Sequence, residues 1–191
     1  MINLQKLKVI KKIREAFRET NNYLDKIWGS YAEFSISIPE EDNLFEWRFI
    51  LRGSQYSLYK NGLFYLKITF PDDYPNTKPK IVFLTPIYHL NVKFYVDGDE
   101  PLGHINSDVL NNWMKEEHLD FKNLPSILLS LLYQNNPENC YDYNDHRRKN
   151  EYINNKSLFE EKAAYFTKKY ASIFKGIREE CSTDWDFTYN Q

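Results

Sequence analysis

Cysteine is almost missing from this 191-residue chain, in which only Cys140 and Cys181 occur. Two thiols are too few for a disulfide framework. With no C-x-x-C pair and no His/Cys cluster at metal-site spacing, no metal is expected either. The natural setting is a reducing compartment, cytoplasmic or nuclear. Long apolar runs are missing too: the opening MINLQKLKVIKK is broken by lysines, and no later stretch reaches the roughly 20 residues of a membrane helix. Secretion and membrane insertion are not expected. Charge of one sign is also lacking, because Lys+Arg 25 balance Asp+Glu 27; a net charge of -2 supplies no global field for a polyanion, so nucleic acid is excluded as a default partner. No phosphate-binding glycine loop or hydrolase triad emerges, and no cofactor is expected.

What the chain does have is aromatic bulk. Fifteen Tyr, thirteen Phe and four Trp are enough for one large core, which favours one domain, residues 1–175, followed by a tail at 176–191. Leu4, Leu7, Ile10, Ile13 and Phe17 recur at threes and fours, placing an apolar stripe on a first helix. Its other faces carry Lys6, Lys8, Lys11, Lys12 and Arg14, either a solvated face or a docking surface for an acidic partner. Residues 31–38, 45–52 and 63–70 read as strands, the last after Asn61-Gly62, and Lys80 to Leu84 supplies a fourth. Pro71, Pro75 and Pro79 hold the connection between the last two.

From Pro86 to Met114 no periodicity stands out, and residues 98–103 (GDEPLG) read as turn and loop. Helices are expected again at 121–133, 143–153 and 156–175. The order of helix, four-stranded antiparallel meander and C-terminal helices defines an α+β domain.

The run YKNGLFYLKITFPDDYPNTKPKIVFLTPIYHLNV, Tyr59 to Val92, resembles the core of the ubiquitin-conjugating (E2) family. That family shows a Y-x-G-G-x-F strand, an FP-x-x-YP turn, a second proline step and an H-P-N motif in this order. The similarity continues through Trp113 and the LLSLLYQNNPE segment to KSLFEEKAAYFTKKYA at 156–171. It implies the UBC fold. His89 and Asn91 match the H-P-N motif, with Leu90 in place of its proline; the Asn91 amide either ties loop backbone together or donates to a developing oxyanion.

The family's cysteine falls in a G-x-I-C-L-D-x-L pattern, and the matching run is Gly103-His104-Ile105-Asn106-Ser107-Asp108-Val109-Leu110. Asn106 therefore occupies the cysteine position. A carboxamide forms no thioester, and Ser107, an unactivated hydroxyl, has no visible base. Asn91 and Asn106 lie fifteen positions apart because of an insertion around FYVDGDE, and Phe94 and Tyr95 within it are candidates to cap the vacant groove.

On this resemblance the chain is a noncatalytic E2 variant, an adaptor or scaffold that binds ubiquitin, a ubiquitin-like protein, an active conjugating enzyme or an activating enzyme. Two alternatives stand beside it. One is an active conjugating enzyme with a displaced cysteine, Cys140, next to Asn139 at the position where active relatives carry an acidic residue. The other is the fold reused for an unrelated interaction. At the places where active relatives hold RING-type ligases this chain has Asn76, Lys115 and Glu116, and loss of the apolar anchors argues against an ordinary ligase. The exposed face of the sheet is a further candidate docking place for ubiquitin. Lone His104, His118 and His146 read as solvated or structural.

Overall fold

The structure, a computed structural model, describes residues 4–27, 34–39, 43–97, 100–106, 108–116, 119–133, 135, 137–139 and 146–172. Helix α1 (Leu4–Ile27) precedes strands β1 (Phe34–Ser37), β2 (Glu46–Arg52), β3 (Leu63–Thr69), β4 (Lys80–Phe83), β5 (Val92–Asp97) and β6 (Glu100–Ile105). Helices α2 (Asp108–Met114), α3 (Leu124–Tyr133), α4 (His146–Asn154) and α5 (Lys156–Tyr170) follow, with a 3-10 turn at Pro137–Asn139 between α3 and α4.

Period-two burial builds the sheet. Trp47, Phe49 and Leu51 of β2 point into the core opposite Ile68, Leu66 and Phe64 of β3, and Ile81 and Phe83 of β4 extend the same rows. Burying each such side chain is worth about 1.5–3 kcal/mol. Trp47 is the hub: its ring meets Phe17 of α1 at 5.3 Å, Phe70 at 4.6 Å and Phe121 at 5.1 Å, and Phe121 in turn meets Trp113 of α2 at 5.3 Å. In the proline-rich connection Phe70 and Tyr74 are both buried and meet edge-to-face at 5.1 Å.

The expected meander of four strands is present as β1 to β4, but the sheet has six strands, in the order β1-β2-β3-β4-β6-β5. Residues 92–105, read from sequence as irregular, form a hairpin that runs from Val92↔Ile105 to Asp97↔Glu100, and β6 docks on β4 through Val82↔His104 and Phe83↔Gly103. Pro101 and Gly103 disguised the second strand. Both have physical places in it. β4 ends at Phe83, so Pro101 has a ladder partner only on β5, where a missing donor on the other side is tolerated. A Cβ on Gly103 would lie 2.5 Å from the Phe94 ring and 2.8 Å from Phe83 Cβ; only glycine lets those rings close over the backbone. Phe94 is consequently a core residue and does not cap a groove, while Tyr95 lies on the opposite face, stacked on His104 at 4.0 Å.

The first helix turns differently from its expected stripe. Val9, Ile13, Thr20 and Leu24 are buried and Ala16 and Phe17 pack beside them, whereas Leu4 and Leu7 are 70% and 46% exposed. The spacing of threes and fours fits either set. What decides is the length of the helix, whose second half supplies Thr20 and Leu24 to the later register. Thr20 satisfies its own hydroxyl by donating to the Ala16 carbonyl at 2.7 Å.

Residues 108–114, within the stretch expected to be irregular, form α2. α5 ends at Tyr170 and not at 175, because the chain returns to the sheet: Leu63 N–H donates to the Ala171 carbonyl at 2.7 Å and Ser172 bridges Gly62. Cys181 and the tail at 176–191 lie outside the described residues.

Candidate functional site

The loop from β4 to β5 carries His89, Leu90 and Asn91, all buried. Both ring nitrogens of His89 are engaged. Nδ1 accepts from the Asn91 N–H at 2.9 Å, so Nε2 carries the proton and donates to the Leu131 carbonyl of α3 at 2.9 Å. Burial depresses its pKa to about 4; the bond to Leu131 opposes that shift and the nearby Arg148 guanidinium adds to it. A histidine held neutral with both nitrogens occupied fixes the turn and is not placed to move a proton.

Asn91 connects the turn to the end of β6. Its carbonyl accepts the Asn106 N–H at 2.7 Å, just beyond the Val92↔Ile105 pair that closes the hairpin. The β5–β6 hairpin therefore starts and ends at one point, where Asn91 and Asn106 meet. Asn106 is half-buried, and two residues later Asp108 opens α2, where a carboxylate complements the helix dipole.

Sequence reasoning missed the groups that hold this turn from behind. Arg148 of α4 is buried, and its Nη1 donates to the carbonyls of His89 at 3.1 Å and Val92 at 2.8 Å. The Tyr59 hydroxyl donates to the Tyr88 carbonyl at 2.9 Å, and Asn135 Oδ1 accepts from the Leu90 N–H at 3.2 Å. Burial raises the pKa of the Tyr59 phenol, the bond with Asn135 opposing it. The Tyr88 ring lies 5.0 Å from the Arg148 guanidinium and 5.2 Å from Phe159, while its hydroxyl donates to Glu151, which also binds Lys162. Tyr59 lies inside the matching motif, but nothing in the pattern around Arg148 or Asn135 marks them as partners of His89.

The structure thus brings His89, Asn91 and Asn106 together, with Asp108 following. Ser107, Cys140 and His118 lie outside the described residues, as do the side chains of Asn139, whose backbone ends the 3-10 turn, and His146, which opens α4. Among the described residues no group of His, Cys, Asp and Glu could hold a metal ion.

The candidate docking residues lie elsewhere. Lys6, Lys8, Lys11, Lys12 and Arg14 are exposed on α1, with Lys6 Nζ 3.7 Å from Asp72 and Lys11 Nζ 3.8 Å from Glu15. Asn76, Lys115 and Glu116 are exposed as well, and Lys78 Nζ donates to the Glu116 carbonyl at 2.6 Å, tying the proline-rich loop to the turn after α2. The outer face of the sheet presents Arg48, Tyr65 and Lys67. Among the described residues no helix is long and apolar enough to cross a membrane.

An N-terminal helix, an antiparallel sheet and C-terminal helices make up the α+β architecture of the UBC fold. The sequence model of the ubiquitin-conjugating enzyme family matches residues 21–167, and the chain belongs to that family. Among curated relatives, a probable ubiquitin-conjugating enzyme E2 of Acanthamoeba polyphaga mimivirus is 32% identical over 185 residues, spanning 93% of this chain and 97% of the relative. The probable ubiquitin-conjugating enzyme E2 31 of Arabidopsis thaliana is 36% identical over 139 residues, 73% of this chain and 82% of the relative. A crystal structure from Plasmodium yoelii, solved as a candidate ubiquitin conjugating enzyme, superposes with a TM-score of 0.65 at 28% identity, covering 84% of this chain and 94% of that one.

Proposed function

We propose that the chain acts in ubiquitin or ubiquitin-like conjugation as a noncatalytic partner, binding ubiquitin, a ubiquitin-like protein or an active conjugating enzyme without itself being charged. The observation that carries this reading is the backbone bond from Asn106 to Asn91. It supports matching Asn106 to the cysteine position across the insertion, and a carboxamide there is no nucleophile. The buried, doubly bonded His89 fits the same reading, since the turn keeps its structure without a reacting group beside it.

The relatives favour a second reading. Those named above are described as conjugating enzymes, and comparable activity in this chain falls to Cys140. Incubation of wild-type protein and Cys140→Ser with activating enzyme, ATP and ubiquitin separates the two. The noncatalytic reading expects no adduct on either while a known active enzyme charges in parallel. A reductant-sensitive adduct on wild type that disappears in Cys140→Ser overturns it and establishes the second.

A further inference from the structure

A cleft of about 370 Å³ opens between the 53–62 loop and the helical layer, lined by Tyr56, Lys60, Tyr133, Tyr152, Lys156 and Glu160 among others. That is large enough for a small ligand or a few peptide side chains and too small for a folded partner. It is separate from the turn at His89, yet Asn135 belongs to both: it lines the cleft and holds the Leu90 N–H with Oδ1.

Its charges are uneven. Lys156 Nζ lies 3.9 Å from the Glu160 carboxylate and 5.9 Å over the Tyr152 ring, so that cation is already compensated. Lys60 is exposed and, among the described residues, forms no ion pair. The cleft therefore keeps one uncompensated positive charge, which suits a carboxylate better than a polyphosphate.

Its aromatic walls are uneven too. Tyr152 is fixed edge-to-face on Phe159 at 5.2 Å. Tyr56 and Tyr133, in contrast, are 95% and 49% exposed, with no ring contact or side-chain hydrogen bond among the described residues. A ring left in water at the mouth of a cleft gains apolar burial and a hydrogen-bond partner only when something enters.

We propose that this cleft binds a short segment of another protein in which an aromatic side chain stands beside a carboxylate: the aromatic against Tyr152 between Tyr56 and Tyr133, the carboxylate on Lys60. The proposal is independent of whether the chain is charged with ubiquitin, and none of its readouts involves ubiquitin.

The test is a fluorescence-anisotropy titration of the full chain into a dye-labelled, capped peptide Gly-Asp-Phe-Asp-Gly. Saturable binding is expected. It should weaken at least about tenfold in Lys60→Glu and in Tyr133→Ala, and for the neutral peptide Gly-Asn-Phe-Asn-Gly, while Lys60→Arg retains it. The Leu90 amide resonance, which reports on Asn135, should shift with the same midpoint. Binding of the neutral peptide equal to that of the acidic one, or indifference to Lys60→Glu, overturns the proposal. So does absence of saturation. If binding appears only after Trp185→Ala, the chain's own Asp-Trp-Asp-Phe sequence at 184–187 is the occupant. If wild type self-associates and Lys60→Glu does not, a second copy is the occupant; either result overturns the assignment to another protein.

Discussion

The Asn106 N–H donates to the Asn91 carbonyl at 2.7 Å although fifteen positions separate the two residues. Strands β5 and β6 lie between them and widen the sheet beyond β4. The sheet edge is thus extended without pulling Asn91 and Asn106 apart.

The hairpin should owe its docking to Gly103. Any side chain there meets the Phe94 ring at 2.5 Å and Phe83 Cβ at 2.8 Å, and neither lies at the end of a long flexible side chain. Gly103→Val is expected to cost about 1–3 kcal/mol as overpacking. A urea titration checks this through a lowered midpoint with unchanged slope, and an unchanged midpoint would mean that the hairpin is not packed this way.

What the sequence made legible follows from burial. β2 and β3 are covered on one face only, so Trp47, Phe49 and Leu51 alternate with half-exposed neighbours and announce the strand. β6 reads EPLGHI, and its proline and glycine imitate a loop because nothing local reveals that Phe94 and Phe83 need a bare backbone. His89, Asn91 and Asn106 could be picked out as candidates because each sits in a run that resembles a family motif. Arg148 could not: it reaches the His89 carbonyl from 59 positions away, and helix propensity around it says nothing of where its guanidinium ends. In α1, Leu4 and Leu7 share the spacing of the buried Val9, Ile13 and Leu24, so spacing alone does not separate the exposed first turns from the core-facing stripe.

Arg148 should be a stability residue. Its Nη1 satisfies two carbonyls of the turn, those of His89 and Val92, and both would be left without that donor in Arg148→Ala. Such a loss is expected to cost about 2–4 kcal/mol. Arg148→Lys should recover only part, since an ammonium on a flexible stem does not reproduce the guanidinium geometry or its contact with the Tyr88 ring. Chemical denaturation of the three proteins gives the order; equal stability of wild type and Arg148→Ala would contradict it.

His89 makes folding pH-dependent in a predictable direction. Its native pKa, about 4, lies below the ordinary 6.5, so the unfolded chain binds a proton more readily. The contribution is fully present above 6.5 and is lost as pH falls toward 4, in total roughly 3 kcal/mol. In His89→Gln this part of the slope should vanish, leaving a flatter stability curve between pH 6.5 and 4. Parallel slopes for the two proteins in denaturant titrations would show that His89 is not held neutral.

If Asn106 stands at the family's cysteine position, as proposed, a thiol placed there should accept ubiquitin. The bond from Asn106 to Asn91 uses backbone atoms, which Asn106→Cys retains, and the substitution puts a smaller side chain at a half-buried position. The new thiol gains no base, because both nitrogens of His89 are occupied, and its reactivity should follow an ordinary thiol pKa near about 8.5. Incubated with activating enzyme, ATP and ubiquitin, Asn106→Cys is expected to acquire a reductant-sensitive adduct that forms faster as pH rises toward that value. The adduct should persist when Cys140→Ser is added to the same chain, which keeps the result separate from any activity of Cys140. A thiol-reactive dye supplies the control for access. Labelling without charging would show that position 106 is open but that the activating enzyme does not engage this chain. Charging through Cys140 alone would move the active position away from the end of β6.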